Sequence, residues 1–242
     1  MKIGLVSVEC KNRDTDYNVN QIKKYMKVSS KKNIDYIFFG ESFLHGFDSL
    51  NWDYSHDIEI AADKNSEIIN FIKKEASILN LGIGFGYFEL YEENIYSSYL
   101  VISKKGEEIY NYRRISKGWK EDNIIDQHYK EGNEINIFCI NDHKFTVALC
   151  GDLWDEYTSS LYIDSGVKEI AIIWPVHVDY SLKEWVNELS SYQKRSMIFS
   201  DNVYLINNIL KPKAHGGAFY FNKSSNEYLN FDAEGILLIE IK

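Results

Sequence analysis

The sequence predicts an α/β protein of four layers, an α-β-β-α sandwich of two stacked mixed sheets with helices outside. Three observations lead there. Apolar runs of strand length alternate with segments whose apolar residues recur every three or four positions. The run from Ile34 to Phe39 is apolar apart from Asp35, as in a strand covered on both faces. Finally, the chain carries about a dozen such strands, too many for one small open sheet.

The elements follow in order. Residues 2–8 form a first strand, and Val19, Ile22 and Met26 mark a helix with Asn18 as its expected cap and Gln21 three residues on. After the strand ending at Phe39, the residues Ile68, Ile72, Ala76 and Leu79 mark a second helix. That helix runs into a strand at Ile83 to Tyr87, and strands at 97–103 and 108–113 join across the Lys-Lys-Gly turn at 104–106. A polar stretch, 114–134, precedes a hairpin of Ile135–Ile140 with Lys144–Leu149. A short helix follows Cys150 and ends near Gly166. The strand 169–174 comes next, then a helix opened by the Ser181/Glu184 capping box and faced by Trp185, Leu189 and Tyr192. The chain closes with strand 203–207, a hairpin after Gly216-Gly217 and a strand over 236–241. With two prolines, no linker and no repeat, residues 1–242 read as one domain.

The net charge of −9 disfavours binding to nucleic acid, which needs clustered Lys and Arg. No apolar run reaches the roughly 18 residues of a membrane span, and the N-terminus reads as a buried strand instead of a signal peptide. Three separated cysteines, Cys10, Cys139 and Cys150, point to reduced thiols and a cytoplasmic location. Six scattered histidines offer no metal-ligand spacing, so no metal is expected.

Two segments carry chemistry. In Phe145-Thr-Val-Ala-Leu-Cys150-Gly151-Asp152 an apolar strand stops at a cysteine, and Gly151 suits a sharp turn into a helix. Such a turn exposes the sulfur beside backbone N–H groups able to hold an oxyanion. The bland alternative is an inert core cysteine. In Tyr36-Ile-Phe-Phe-Gly40-Glu41 a carboxylate follows an apolar strand, at the carboxyl edge where α/β folds gather their sites. Apolar walls there raise a carboxyl pKa and make a general base. Its alternative is a capping or solvent-facing acid. Trp174-Pro175 ends a strand at the edge that carries Cys150, where it lines the pocket or simply packs in the core, and His45 and His177 read first as polar loop histidines, with bordering a pocket as the alternative. The glycines of Leu81-Gly-Ile-Gly-Phe-Gly86 read as strand glycines and not as a dinucleotide loop.

Together these segments resemble the nitrilase, or carbon–nitrogen hydrolase, superfamily. Gly40-Glu41 with Phe-Leu-x-Gly-Phe resembles its glutamate box, and Ala-Leu-Cys150-Gly-Asp-Leu-Trp its nucleophile box. Asp201-Asn202-Val-Tyr-Leu-Ile-Asn207 and Gly216-Gly217-Ala218 resemble later family segments. The resemblance implies a Glu-Lys-Cys triad, no cofactor, a homodimer or higher oligomer, and a small amide or nitrile substrate. It departs at the basic box, Tyr112-Arg113-Arg114-Ile115-Ser116-Lys117: Arg114 or Lys117 fills the lysine role, with Lys120 behind them. A second acid that orders the site is implied, with Glu121, Asp126 and Glu131 as candidates. Gly151, Glu121 and Trp174 are the expected substrate contacts. The implied activity is hydrolysis of a non-peptide C–N bond through a thioester on Cys150. An acyltransferase, or a non-catalytic relative disabled by Arg114, stands as the alternative.

Overall fold

The protein is described by a computed structural model covering residues 1–223 and 226–241. Its strands form two six-stranded sheets and a short two-stranded ribbon. In the first sheet, β1 (Lys2–Ser7), β2 (Tyr36–Phe38) and β3 (Gly82–Tyr91) run parallel to one another. The strands β4 (Asn94–Ile102) and β5 (Glu108–Arg113) extend it antiparallel on one side. The second sheet repeats this plan. β7 (His143–Val147), β8 (Ala171–Val176) and β9 (Asn202–Asn207) are parallel, and β6 (Phe138–Ile140) pairs antiparallel with β7. The ribbon is β10 (Ile209–Leu210) with β11 (Ala214–His215). β12 (Ala218–Asn222) and β13 (Asn226–Leu229) complete the second sheet, while β14 (Gly235–Glu240) returns to pair with β1.

Alternation along the strands sorts side chains into layers. Ile3 and Leu5 of β1, Phe38 of β2, Phe145 and Val147 of β7, and Tyr204 and Ile206 of β9 meet between the sheets. Their neighbours of opposite parity face outward. Ile37, Ile83 and Phe85 pack under α1 (Thr15–Lys31) and α3 (Glu67–Leu79). Ile172, Trp174, Val203 and Leu205 pack with Tyr162 of α4 (Glu156–Asp164) and with Trp185 and Tyr192 of α5 (Leu182–Phe199). Four layers result, as the strand count predicts.

Most expected elements are present with shifted ends, and the Ser181/Glu184 capping box is formed at α5. Three details differ. The cap of α1 is Asp14, whose carboxylate accepts from Tyr17 N, so Asn18 lies inside the helix. Asn18 is completely buried and bonds Lys11 N, Lys11 O and Leu44 O, which ties the helix to the loop after β2. The helix α2 (Tyr54–Ile60) was not foreseen, because its apolar residues are too few for a helical stripe. Trp174 does not end its strand, since β8 continues to Val176.

The parallel arrangement matters for function. In each βαβ crossover the strand's carboxyl end delivers a loop to the same rim. β2 leads to Glu41, β7 to Cys150, β8 to His177 and β9 to Asn208.

Candidate active site

Glu41 sits three residues beyond β2 and is completely buried. Its backbone is held from both sides by one side chain: Asn208 Oδ1 accepts from Gly40 N at 3.0 Å and Asn208 Nδ2 donates to Glu41 O at 2.7 Å. The turn then passes through Ser42 with a positive φ of 49°. It presses against β3 so closely that a Cβ on Gly86 would lie 2.2 Å from Ser42 N. Glycine at 86 is therefore required for this turn, and the glycine-rich strand serves close approach instead of nucleotide binding.

Cys150 opens a single 3-10 turn, Cys150–Leu153, after β7. Its φ of 39° is in the left-handed region, a strain of about 1–3 kcal/mol that the surroundings must hold. Asp152 holds it. That buried carboxylate accepts from Leu149 N at 2.8 Å and from Tyr112 Oη at 2.6 Å, and from Ser116 N and Ile115 N at 2.9 and 3.3 Å. Trp174 Nε1 donates to Cys150 O at 2.9 Å. Trp174 is completely buried, so it positions the cysteine backbone and does not form an open pocket wall. Cys150 itself is partly exposed, and its Sγ lies 3.5 Å from the His177 carbonyl.

Arg114 bridges the two turns. Its Nη1 donates to Glu41 Oε1 at 2.9 Å and its Nε to Ser116 Oγ at 2.8 Å, with only 2% of the residue exposed. Nη2 points toward the cysteine turn: a Cβ on Gly151 would meet it at 2.6 Å. Of the two expected cations, the structure brings Arg114 to Glu41. Lys117 is exposed, and its charge is felt by Asp155 at the start of α4.

Of the three acids expected to order the site, Asp126 pairs with His128 at 2.6 Å and Glu131 with Lys120 at 2.6 Å. Glu121 is exposed on the rim of a cleft. The second buried carboxylate whose charge acts on both Glu41 and Arg114 is Asp152. His45 is buried, with Nδ1 accepting from Phe88 N at 3.0 Å, and its pKa is pushed down to about 3 by burial. It is a structural histidine. Asn208 and Ser116 were not foreseen. Asn208 stands beside Asn207, which carries the sequence pattern, and nothing in the spacing tells the two apart.

Electrostatics set the resting state. Burial raises the Glu41 carboxyl above the ordinary range, and the Arg114 charge opposes that rise. Burial, and next the charge of Glu41, push the Cys150 thiol up to about 12. The sulfur thus rests as a thiol beside a carboxylate whose Oε2 has no hydrogen bond and is free to accept a proton. Arg114 is held even more firmly protonated than a free guanidinium, and Glu41 is the leading partner responsible. Among the described residues no group of three His, Cys, Asp or Glu is placed to hold a metal, and no helix is long and apolar enough to cross a membrane.

No curated protein sequence matches this chain. Among solved structures, an amidase of the nitrilase superfamily from Nesterenkonia AN1 superimposes with a TM-score of 0.81 at 11% identity, covering 100% of this chain and 90% of that one. A second structure of an amidase from Nesterenkonia sp. gives 0.78 at 12% identity, with 100% and 90% covered. The glutamine-dependent NAD+ synthetase from Acinetobacter baumannii gives 0.79 at 15% identity, covering 98% of this chain but only 44% of that one. At these identities the likeness establishes the shared fold. The sequence profile of the carbon–nitrogen hydrolases matches residues 2–199, most of the chain. With that match and the fold just described, the protein belongs to the carbon–nitrogen hydrolase family, within the nitrilase superfamily.

Proposed function

We propose that the protein hydrolyses a non-peptide C–N bond of a small amide or nitrile, with Cys150 as nucleophile and Glu41 as the base. One observation carries the reading: a strained cysteine, a buried carboxylate with a free oxygen and a fixed guanidinium converge at one rim of the two sheets.

For an amide, Glu41 takes the thiol proton as the sulfur bonds the carbonyl carbon. Arg114 Nη2 and the Gly151 N–H stabilise the oxyanion that forms. Glu41 passes its proton to the nitrogen, the C–N bond breaks, and ammonia or an amine leaves a thioester on Cys150. Water then gives a proton to Glu41 and attacks the thioester. Collapse releases the acid, and the proton returns to sulfur. A lysine could share these transfers, but Arg114 is too basic to give up its proton, so every transfer runs through Glu41.

A second reading follows from Arg114 itself: with arginine where the family resemblance implies lysine, the fold could serve as a non-catalytic binding protein. An acyltransferase would keep the first half of the reaction and hand the thioester to another acceptor. Intact-protein mass spectrometry during incubation with an amide and nitrile panel separates these readings. An acyl adduct on Cys150 that decays in water supports hydrolysis, and one that decays only with an added amine or alcohol indicates transfer. Absence of any adduct, with iodoacetamide labelling no faster than that of free cysteine, supports the non-catalytic reading.

A further inference from the structure

Beside the catalytic cluster, the loop after β2 and the loop after Arg114 enclose a cleft of about 260 Å³, lined by Phe47, Asp48, Trp52, Trp119, Lys120 and Glu121 among others. That is the space of about nine water molecules, enough for a short substituted chain. Two contacts tie the cleft to the nucleophile. A Cβ on Gly118, also in its lining, would lie 3.3 Å from Arg114 Nη2, the same nitrogen that a Cβ on Gly151 would meet at 2.6 Å. Phe47 stacks on the ring of His177 with centroids 4.1 Å apart and planes 10° apart, and the His177 carbonyl lies at Cys150 Sγ. A molecule attacked at Cys150 therefore has this cleft next to it.

One polar side chain of the lining, Trp119, and one that stacks behind Phe47, His177, are buried without hydrogen-bond partners among the described residues. Trp119 is 4% exposed and its indole N–H has no acceptor. His177 is 7% exposed and neither ring nitrogen is hydrogen-bonded. Burial pushes the His177 pKa down to about 4, so at neutral pH the ring offers one donor and one acceptor. The orphaned Trp119 N–H asks for an acceptor, which a polar oxygen or nitrogen elsewhere on a bound molecule supplies.

Charge decides its class. Asp48 and Glu121 face the cleft. Lys120 lines it too, with its ammonium committed to Glu131 at 2.6 Å and to Tyr129 O at 2.8 Å and 5.7 Å from the centroid of the Trp119 ring, which leaves Trp52 as the open aromatic face. Lys213 stands between Asp48 at 3.9 Å and Asp179 at 3.2 Å, one cation against two carboxylates. The walls are aromatic, with Trp52 and Trp119 centroids 6.0 Å apart. Aromatic faces and surplus carboxylates attract a cation and repel an anion.

We infer that this cleft is the subsite for the part of the substrate left attached to the attacked carbon, and that it selects a protonated nitrogen and rejects a carboxylate. The ammonium would lie against Trp52 within reach of Asp48 and Glu121. This inference rests on the hydrolase reading above.

The test uses the intact protein and three amides of equal chain length: 6-aminohexanamide, heptanamide and 6-carbamoylhexanoate. Release of ammonia should show kcat/KM at least tenfold higher for 6-aminohexanamide than for heptanamide, with 6-carbamoylhexanoate lowest and the difference residing in KM. In Asp48→Asn/Glu121→Gln the ratio of the first two should fall toward one. Equal kcat/KM for all three, or a preference untouched by that double variant, overturns the subsite. If none of the three is turned over and the amide and nitrile panel also leaves no adduct on Cys150, the hydrolase reading is what fails. Quenching of tryptophan fluorescence by the same three compounds then decides the subsite alone: tighter binding of 6-aminohexanamide supports it, and equal binding refutes it.

Discussion

Arg114 and Glu41, 73 residues apart, form a buried ion pair in which a single guanidinium hydrogen bond of 2.9 Å reaches one carboxylate oxygen and leaves the other free. A bidentate pair would use both oxygens. Here the fork is divided, with Nε on Ser116 and Nη2 toward Gly151, so the arginine neutralises the carboxylate while engaging only one of its oxygens. The adjacent Arg113 shows the contrast: its Nε and Nη2 grip both oxygens of the buried Glu89 at 2.8 and 2.9 Å, leaving that carboxylate nothing to do but hold structure.

Replacing Cys150 with alanine should abolish both turnover and covalent adduct while the fold is kept, because the side chain is small and partly exposed. Intact mass after incubation with an amide panel measures it. An undiminished rate in that variant would sink the thioester route.

Glu41 must be ionised to accept the thiol proton, and its carboxyl is raised above 4.5. Activity is then present at higher pH and lost as pH falls through the raised value, giving an acid limb in kcat/KM above the usual carboxylate range. Removing the opposing cation in Arg114→Met should move that limb further up. A limb that stays in place would show that Glu41 is not the titrating group.

The same Arg114→Met change leaves a buried carboxylate unpaired, which costs about 3–5 kcal/mol. Denaturant unfolding should show this near neutral pH. The loss should shrink in acid as Glu41 takes up a proton, since the group's pKa is raised and its neutral form suits the buried site.

Gly151→Ala should lower kcat by about 100-fold, the order expected of a misplacement of about 1 Å. The new methyl would meet Arg114 Nη2 at 2.6 Å and push the guanidinium off the cysteine turn. Steady-state kinetics with a circular dichroism control checks it, and an unchanged kcat would show that Nη2 has no part in the reaction.

Asn208→Ala removes two buried hydrogen bonds, to Gly40 N and Glu41 O, and should cost about 2 kcal/mol of stability. Its effect on kcat should exceed that of Asn207→Ala, whose side chain bonds Val178 N and Gly216 O instead. Equal kcat losses in the two variants would place Asn208 among purely structural groups.

The sequence by itself determined the layered α/β fold, because strand and helix periods follow from local side-chain pattern. It also determined that Glu41 and Cys150 stand at strand ends, since the apolar runs stop there. Those features are local, and one chain suffices to read them. Which cation meets Glu41 was decided only in three dimensions. Arg114 and Lys117 stand level along the chain, with Lys120 behind them, and it is the pairing with β4 continued just past β5, Arg114 N to Ser97 O, that turns Arg114 inward and leaves Lys117 in solvent. The same holds for the second acid. Glu121, Asp126 and Glu131 lie in the expected segment, yet Asp152 is drawn to the site by four donors from the cysteine turn, β5 and the segment after Arg114. Long-range hydrogen bonds of this kind depend on how two sheets stack, and no spacing within one segment encodes them.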